Sequence, residues 1–81
     1  MATNMIAIHS ALITQKVSAM SSGQEAGVKS IFGTDWDTIG SSGEKKEFGK
    51  QFKEAVDNGT ITDLEWLRIE NTGRYDVYRK I

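Results

Sequence analysis

The sequence contains no cysteine and a single histidine, His9. Disulfide stapling is thereby excluded, and the usual structural zinc sites have no ligand set. No run approaches the roughly eighteen consecutive apolar residues of a membrane span, and the N-terminus lacks the basic start and apolar stretch of a signal peptide. A cytoplasmic protein without membrane association is expected. A basic excess is missing as well: ten Lys and Arg stand against eleven Asp and Glu, a formal net charge of −1. That balance argues against a strongly electrostatic, sequence-indifferent nucleic-acid binder.

Candidates for catalysis are equally scarce. No Gly-Lys-Ser/Thr follows Gly40 and Gly43, so these glycines make no phosphate loop. His9 lies beside an apolar stripe and reads as a hydrogen-bonded or half-exposed structural histidine rather than a base or ligand. Asp35 and Asp37 flank Trp36 like a carboxylate pair, but helix-starting and solvated roles account for both. Without a nucleophile, base and stabiliser set, the expectation is a non-catalytic binding module that needs no metal or cofactor.

What is present fits one domain, residues 1–81, which at this length buries only about 60–65% of the surface of its unfolded chain. Met5, Ile6, Ile8, Leu12, Ile13, Val17 and Met20 recur at helical spacing and predict a first helix over residues 5–20. Residues 21–27, with two glycines and no apolar period, read as a loop or the frame of one short strand. Val28, Ile31, Phe32, Trp36 and Ile39 form an apolar set interrupted by Gly33, predicting a short helix, a glycine stop and one more turn begun by Thr34 or Asp35. Ser41-Ser42-Gly43-Glu44 matches a capping box, Phe48, Phe52, Ala55 and Val56 share one face, and Asp57-Asn58-Gly59 ends the run. These signals predict a helix over 42–58.

From residue 62 the period becomes two, and Asn71-Thr72-Gly73 reads as a three-residue hairpin loop with Gly73 left-handed. This loop sets Glu70 opposite Arg74, Ile69 opposite Tyr75, Arg68 opposite Asp76, Leu67 opposite Val77, Trp66 opposite Tyr78 and Glu65 opposite Arg79. Leu67, Ile69, Tyr75 and Val77 are then expected inside, and Trp66, Arg68, Glu70, Arg74, Asp76 and Tyr78 outside. The predicted class is α+β, winged helix-turn-helix-like: an N-terminal helix and loop over 1–27, then a helix-turn-helix and β-hairpin wing over 28–81.

The string Ile31-Phe32-Gly33, Trp36, Ile39, Gly43, Phe48-Gly49-Lys50-Gln51-Phe52, Val56, Gly59-Thr60-Ile61, Asn71 and Tyr78 also resembles a group of short bacterial and prophage proteins. That group has the rough pattern F-G-x-x-W, then G-x-x-F-x-x-x-V, then G-x-I and a closing hairpin. The resemblance covers residues 30–81 and rests on core and turn positions. It implies a phage or mobile-element origin and a winged-helix-like fold, and transfers no catalytic residue.

Two constellations carry the functional expectations. Residues 44–81 hold eight basic and eight acidic side chains, so the contacts are expected in this half. Lys46, Lys50 and Lys53 stack along one stripe of helix 42–58, away from Phe48 and Phe52, either to meet backbone phosphates or as a solvated face beside Glu47, Glu54 and Asp57. The helix offers no arginine, and no asparagine before its end, for bidentate base reading, which leaves Gln51 as a partly core-flanking candidate. Trp66, Arg68, Arg74 and Tyr78 have hot-spot composition if the outer hairpin face is open, and the two aromatics are core if it is covered.

The leading expectation is a nucleic-acid-binding or regulatory protein, with Lys46, Lys50 and Lys53 on phosphates and Arg68 and Arg74 acting from the wing. Its rival is a protein-binding inhibitor of a host defence complex, of anti-CRISPR or anti-restriction type, anchored by Trp66, Arg68, Arg74 and Tyr78. Self-association through an exposed N-terminal helix is a third expectation.

Overall fold

The computed structural model describes residues 4–71, 73 and 75–81. In chain order the elements are α1 (Met5–Ile8), α2 (Ser10–Ser18), β1 (Glu25–Gly27), α3 (Val28–Phe32), a 3-10 helix (Gly33–Thr38), α4 (Ser42–Asp57), β2 (Leu64–Glu70) and β3 (Tyr75–Lys80). The strands form an antiparallel sheet in the order β1-β3-β2. The class is α+β as expected, and the segment before α3 supplies a third strand to the C-terminal hairpin.

The first helix departs from the predicted 5–20 run. It breaks at His9 (φ −101°, ψ 18°) and ends at Ser18. Asn4 caps α1 by accepting from the Ala7 N–H, and the Met5 N–H donates to Gln51 Oε1 at 2.8 Å, which ties α1 to α4. The α2 segment packs instead on α3. One straight rod cannot follow both surfaces, so the axis turns at His9, whose ring stands edge-on to Phe48 at 5.5 Å. The turn buries Met5, Ile13, Val17 and Met20 but leaves Ile8 64% exposed, contrary to its place in the predicted stripe.

The middle of the chain follows its local signals. Gly33 ends α3 with φ +57°, where a side chain would be strained, and the chain re-enters a 3-10 turn. Asp35 pairs with Lys16 and Asp37 with Lys45, so both carboxylates tie elements together. Ser41 and Glu44 form the reciprocal capping box, and Gly59 takes φ +84° just past α4. Phe48, Phe52, Ala55 and Val56 are buried, with Phe32 edge-on to both phenylalanines. This aromatic stack is the centre of the core.

The hairpin corrects the sequence reading. Glu65 faces Arg79 and Trp66 faces Tyr78 as expected, but a bulge then leaves Leu67 unpaired and shifts the rest: Arg68 faces Val77, Ile69 faces Asp76 and Glu70 faces Tyr75. Four residues, 71–74, separate the last pair, and Thr72 and Arg74 lie outside the described residues. The left-handed conformation expected of Gly73 turns on the backbone of Thr72, outside the described residues; a Cβ added at Gly73 would lie 2.5 Å from the Tyr75 ring, a steric reason for glycine there. A Cβ added at Gly27 would lie 2.6 Å from the other edge of that ring.

The faces are also exchanged. Tyr78, expected outside, is 0% exposed and stands edge-on to Phe52 at 5.1 Å. Ile69 and Tyr75, expected inside, are 57% and 45% exposed. Covering by α4 decides the two tyrosines, because it lies on the face of Leu64 and Tyr78; Ile69 is carried to that face by the bulge and is exposed there. The opposite face carries the pairs Glu65–Arg79 and Arg68–Glu25, whose side chains are partly exposed there. In a regular strand Arg68 would share the face of Trp66 and point toward α4. The bulge at Leu67 returns it to the wet side. Val77 is buried as expected, although it lies apart from the main core cluster.

Candidate nucleic-acid and partner interface

The capping box fixes where α4 begins, and its buried phenylalanines fix which side faces water. Lys46, Lys50, Lys53 and Asp57 fall on the stripe opposite Phe48 and Ala55. Lys46 and Lys50 are exposed, and neither has an ion-pair partner among the described residues. Lys53 differs: its Nζ lies 3.0 Å from Asp57 Oδ2, and this hydrogen bond holds the ammonium above the ordinary lysine range. The same ammonium sits 5.1 Å from the centre of the Trp66 ring. The Trp66 indole N–H in turn donates to Asp76 Oδ1 at 2.9 Å. The chain Asp57–Lys53–Trp66–Asp76 therefore joins the basic stripe to the hairpin and neutralises its last lysine.

The predicted wing residues separate. Arg68 lies on the sheet face away from α4, 3.1 Å from Glu25 and 3.9 Å from Glu70, so it does not extend the lysine stripe. Arg74 lies outside the described residues. Tyr78 belongs to the core, where burial pushes its phenol pKa up and its hydroxyl has no hydrogen-bond partner among the described residues. Trp66 remains at the edge, 37% exposed.

Three features escaped the sequence reading. Ile69 and Tyr75 are exposed on the hairpin, Ile69 on the face to which the unsignalled bulge carries it and Tyr75 on the face that α4 does not cover. The Trp66–Asp76 bond was hidden because the expected register set Asp76 against Arg68. An open groove of about 560 Å³ also runs between α1 and α4, with Ser10, Glu47, Lys50, Glu54 and Thr60 among its lining. Its mixed charges show no bias toward an anion or a cation. Among the described residues no three His, Asp or Glu side chains are grouped to hold a metal ion, and no helix is long and apolar enough to cross a membrane.

No curated protein and no solved structure matches this chain. Residues 11–80 match a domain of unknown function, DUF1413, so the match reaches past the region 30–81 and takes in most of α2 and all of β1. The chain belongs to the DUF1413 family.

Proposed function

We propose that this chain is a non-catalytic, winged-helix nucleic-acid-binding or regulatory module of phage or mobile-element origin, in which Lys46 and Lys50 contact backbone phosphates. The observation that carries the reading is the pair of exposed lysines on the outward stripe of α4, without ion-pair partners among the described residues. The element order α2, β1, α3, α4, β2 and β3, with sheet order β1-β3-β2, supports this reading, in which α4 serves as the recognition helix and the β2–β3 hairpin as the wing. Two or three phosphate contacts by lysine imply weak, salt-sensitive binding with little sequence preference. Lys53 takes a lesser part because Asp57 already neutralises it. Arg68 would have to leave Glu25 to join. Fluorescence anisotropy with several labelled duplexes tests this: Lys46→Ala with Lys50→Ala should weaken binding by a similar factor for every sequence. Unchanged isotherms would remove α4 from the role.

A second reading, a protein-binding inhibitor of a host defence complex, is favoured by the exposed Trp66, Ile69 and Tyr75 on the hairpin. It predicts that Trp66→Ala abolishes capture of a host protein, a loss above about 2 kcal/mol. Nucleic-acid binding by that variant should be unaltered. Retained capture would count against it.

A further inference from the structure

The sheet order leaves β2 at an edge, with no strand neighbour on its outer side among the described residues. Such an edge offers free backbone donors and acceptors to another strand. Of the devices that guard natural edges, β2 (Leu64–Glu70) has neither lysine nor proline; it has the bulge at Leu67 and the charges of Glu65, Arg68 and Glu70, and it carries the exposed Trp66 and Ile69. What fits this edge follows from its faces. Before the bulge, Leu64 and Trp66 point toward α4 and Glu65 away; after it, Arg68 points away and Ile69 lies on the α4 side, opposite Asp76.

Antiparallel pairing of β2 with a second β2 must set like face against like face. In a regular strand no register could place Glu65 opposite Arg68, because residues three apart point to opposite faces. The bulge removes that bar. One two-fold register then sets Glu65 opposite Arg68 of the second copy, Leu64 opposite its Ile69 and Trp66 opposite its Leu67, and each again in reverse. On the face away from α4, Glu25, Arg79 and Glu65 already form a cross-strand row of alternating sign. Arg68 of the second copy, by turning from its own Glu25, takes the next place in that row with the sign the alternation requires. On the other face, the exposed Ile69 gains an apolar neighbour.

We propose that the chain forms a two-fold dimer through the β2 edges, making one six-stranded sheet. The interface is isologous, so each charge pair occurs twice. This inference is independent of the nucleic-acid reading, and it assigns Trp66 and Ile69 to a copy of this chain rather than to a host protein.

The test is sedimentation velocity on the full chain over a range of concentrations, with far-UV circular dichroism as the check on folding. Wild type should show a concentration-dependent dimer. Glu65→Arg or Arg68→Glu alone should weaken dimerisation about tenfold or more, since each places like charges opposite one another twice. The double swap should restore it, even though residues 65 and 68 then face like charges at Arg79 and Glu25 within each copy. That rescue separates pairing between copies from pairing within one. Ile69→Lys, at a position 57% exposed, should leave the fold intact and give a monomer. The proposal is overturned by a wild type monomeric at every concentration, by a dimer indifferent to Ile69→Lys and the single swaps, or by a folded double swap that stays monomeric. A monomer that instead pairs its edge with a strand of another protein would also overturn it.

Discussion

Tyr78 decides which way the hairpin faces. Its ring fills the space beside Phe52, and its hydroxyl is carried into the core without a hydrogen-bond partner among the described residues. An unpaired buried hydroxyl opposes folding, whereas the ring that carries it is buried edge-on against Phe52 of α4. Tyr78→Phe should therefore be neutral or stabilising by up to about 1 kcal/mol. Tyr78→Ala should cost about 3–5 kcal/mol. Denaturant unfolding of the two variants checks both; a Tyr78→Phe protein markedly weaker than wild type would mean that the hydroxyl has a partner after all. Glu44 acts at the same scale but in water: its carboxylate accepts from the Ser41 N–H, and this bond holds its pKa below the ordinary range. The folded pKa is depressed, so the stabilisation is present above the unfolded value and lost as pH falls through the folded one. Glu44→Gln should be less stable than wild type near neutrality and nearly equal to it in acid, with the gap closing across the carboxylate range. Thermal melts at a series of pH values give the comparison, and a gap that persists at the acid end would contradict it.

Among the elements, α4 could be read directly from its residues. Ser41 and Glu44 mark its start, the spacing of Phe48, Phe52, Ala55 and Val56 gives its buried face, and Gly59 marks its end, all within one stretch of chain. The hairpin could not be read in this way. Both of its faces carry an aromatic and an aliphatic or arginine side chain, so alternation alone gives no preference. The choice is made by α4, which covers one face, and by Glu25, which meets Arg68 from 43 residues away. The bulge at Leu67 has no local signal such as glycine, and it moves every later pair by one place. For the same reason the lysine stripe on α4 was legible as a stripe, while the expectation that arginines of the wing would extend it was not sound: Arg68 lies on the other side of the sheet. The break at His9 has a similar cause, since α1 and α2 are held by different neighbours that the chain reaches only on folding.

At the scale of the whole molecule, a net charge of −1 conceals an uneven distribution. Lys16, Lys45, Lys53, Arg68 and Arg79 are each paired with a carboxylate, and exposed pairs of this kind contribute little to stability while removing positive potential from the surface. Lys46 and Lys50 remain on α4 as cations not so neutralised. If they meet phosphates, affinity must fall with salt in proportion to the counterions released, by a logarithmic slope of about 0.9 for each contact on duplex DNA. The most direct measurement is that slope, taken from binding isotherms of wild type and of the Lys46→Ala, Lys50→Ala variant over a salt series. The account predicts a wild-type slope near −2 and a variant slope close to zero. A wild type that does not bind, or a variant that keeps the wild-type slope, would contradict it.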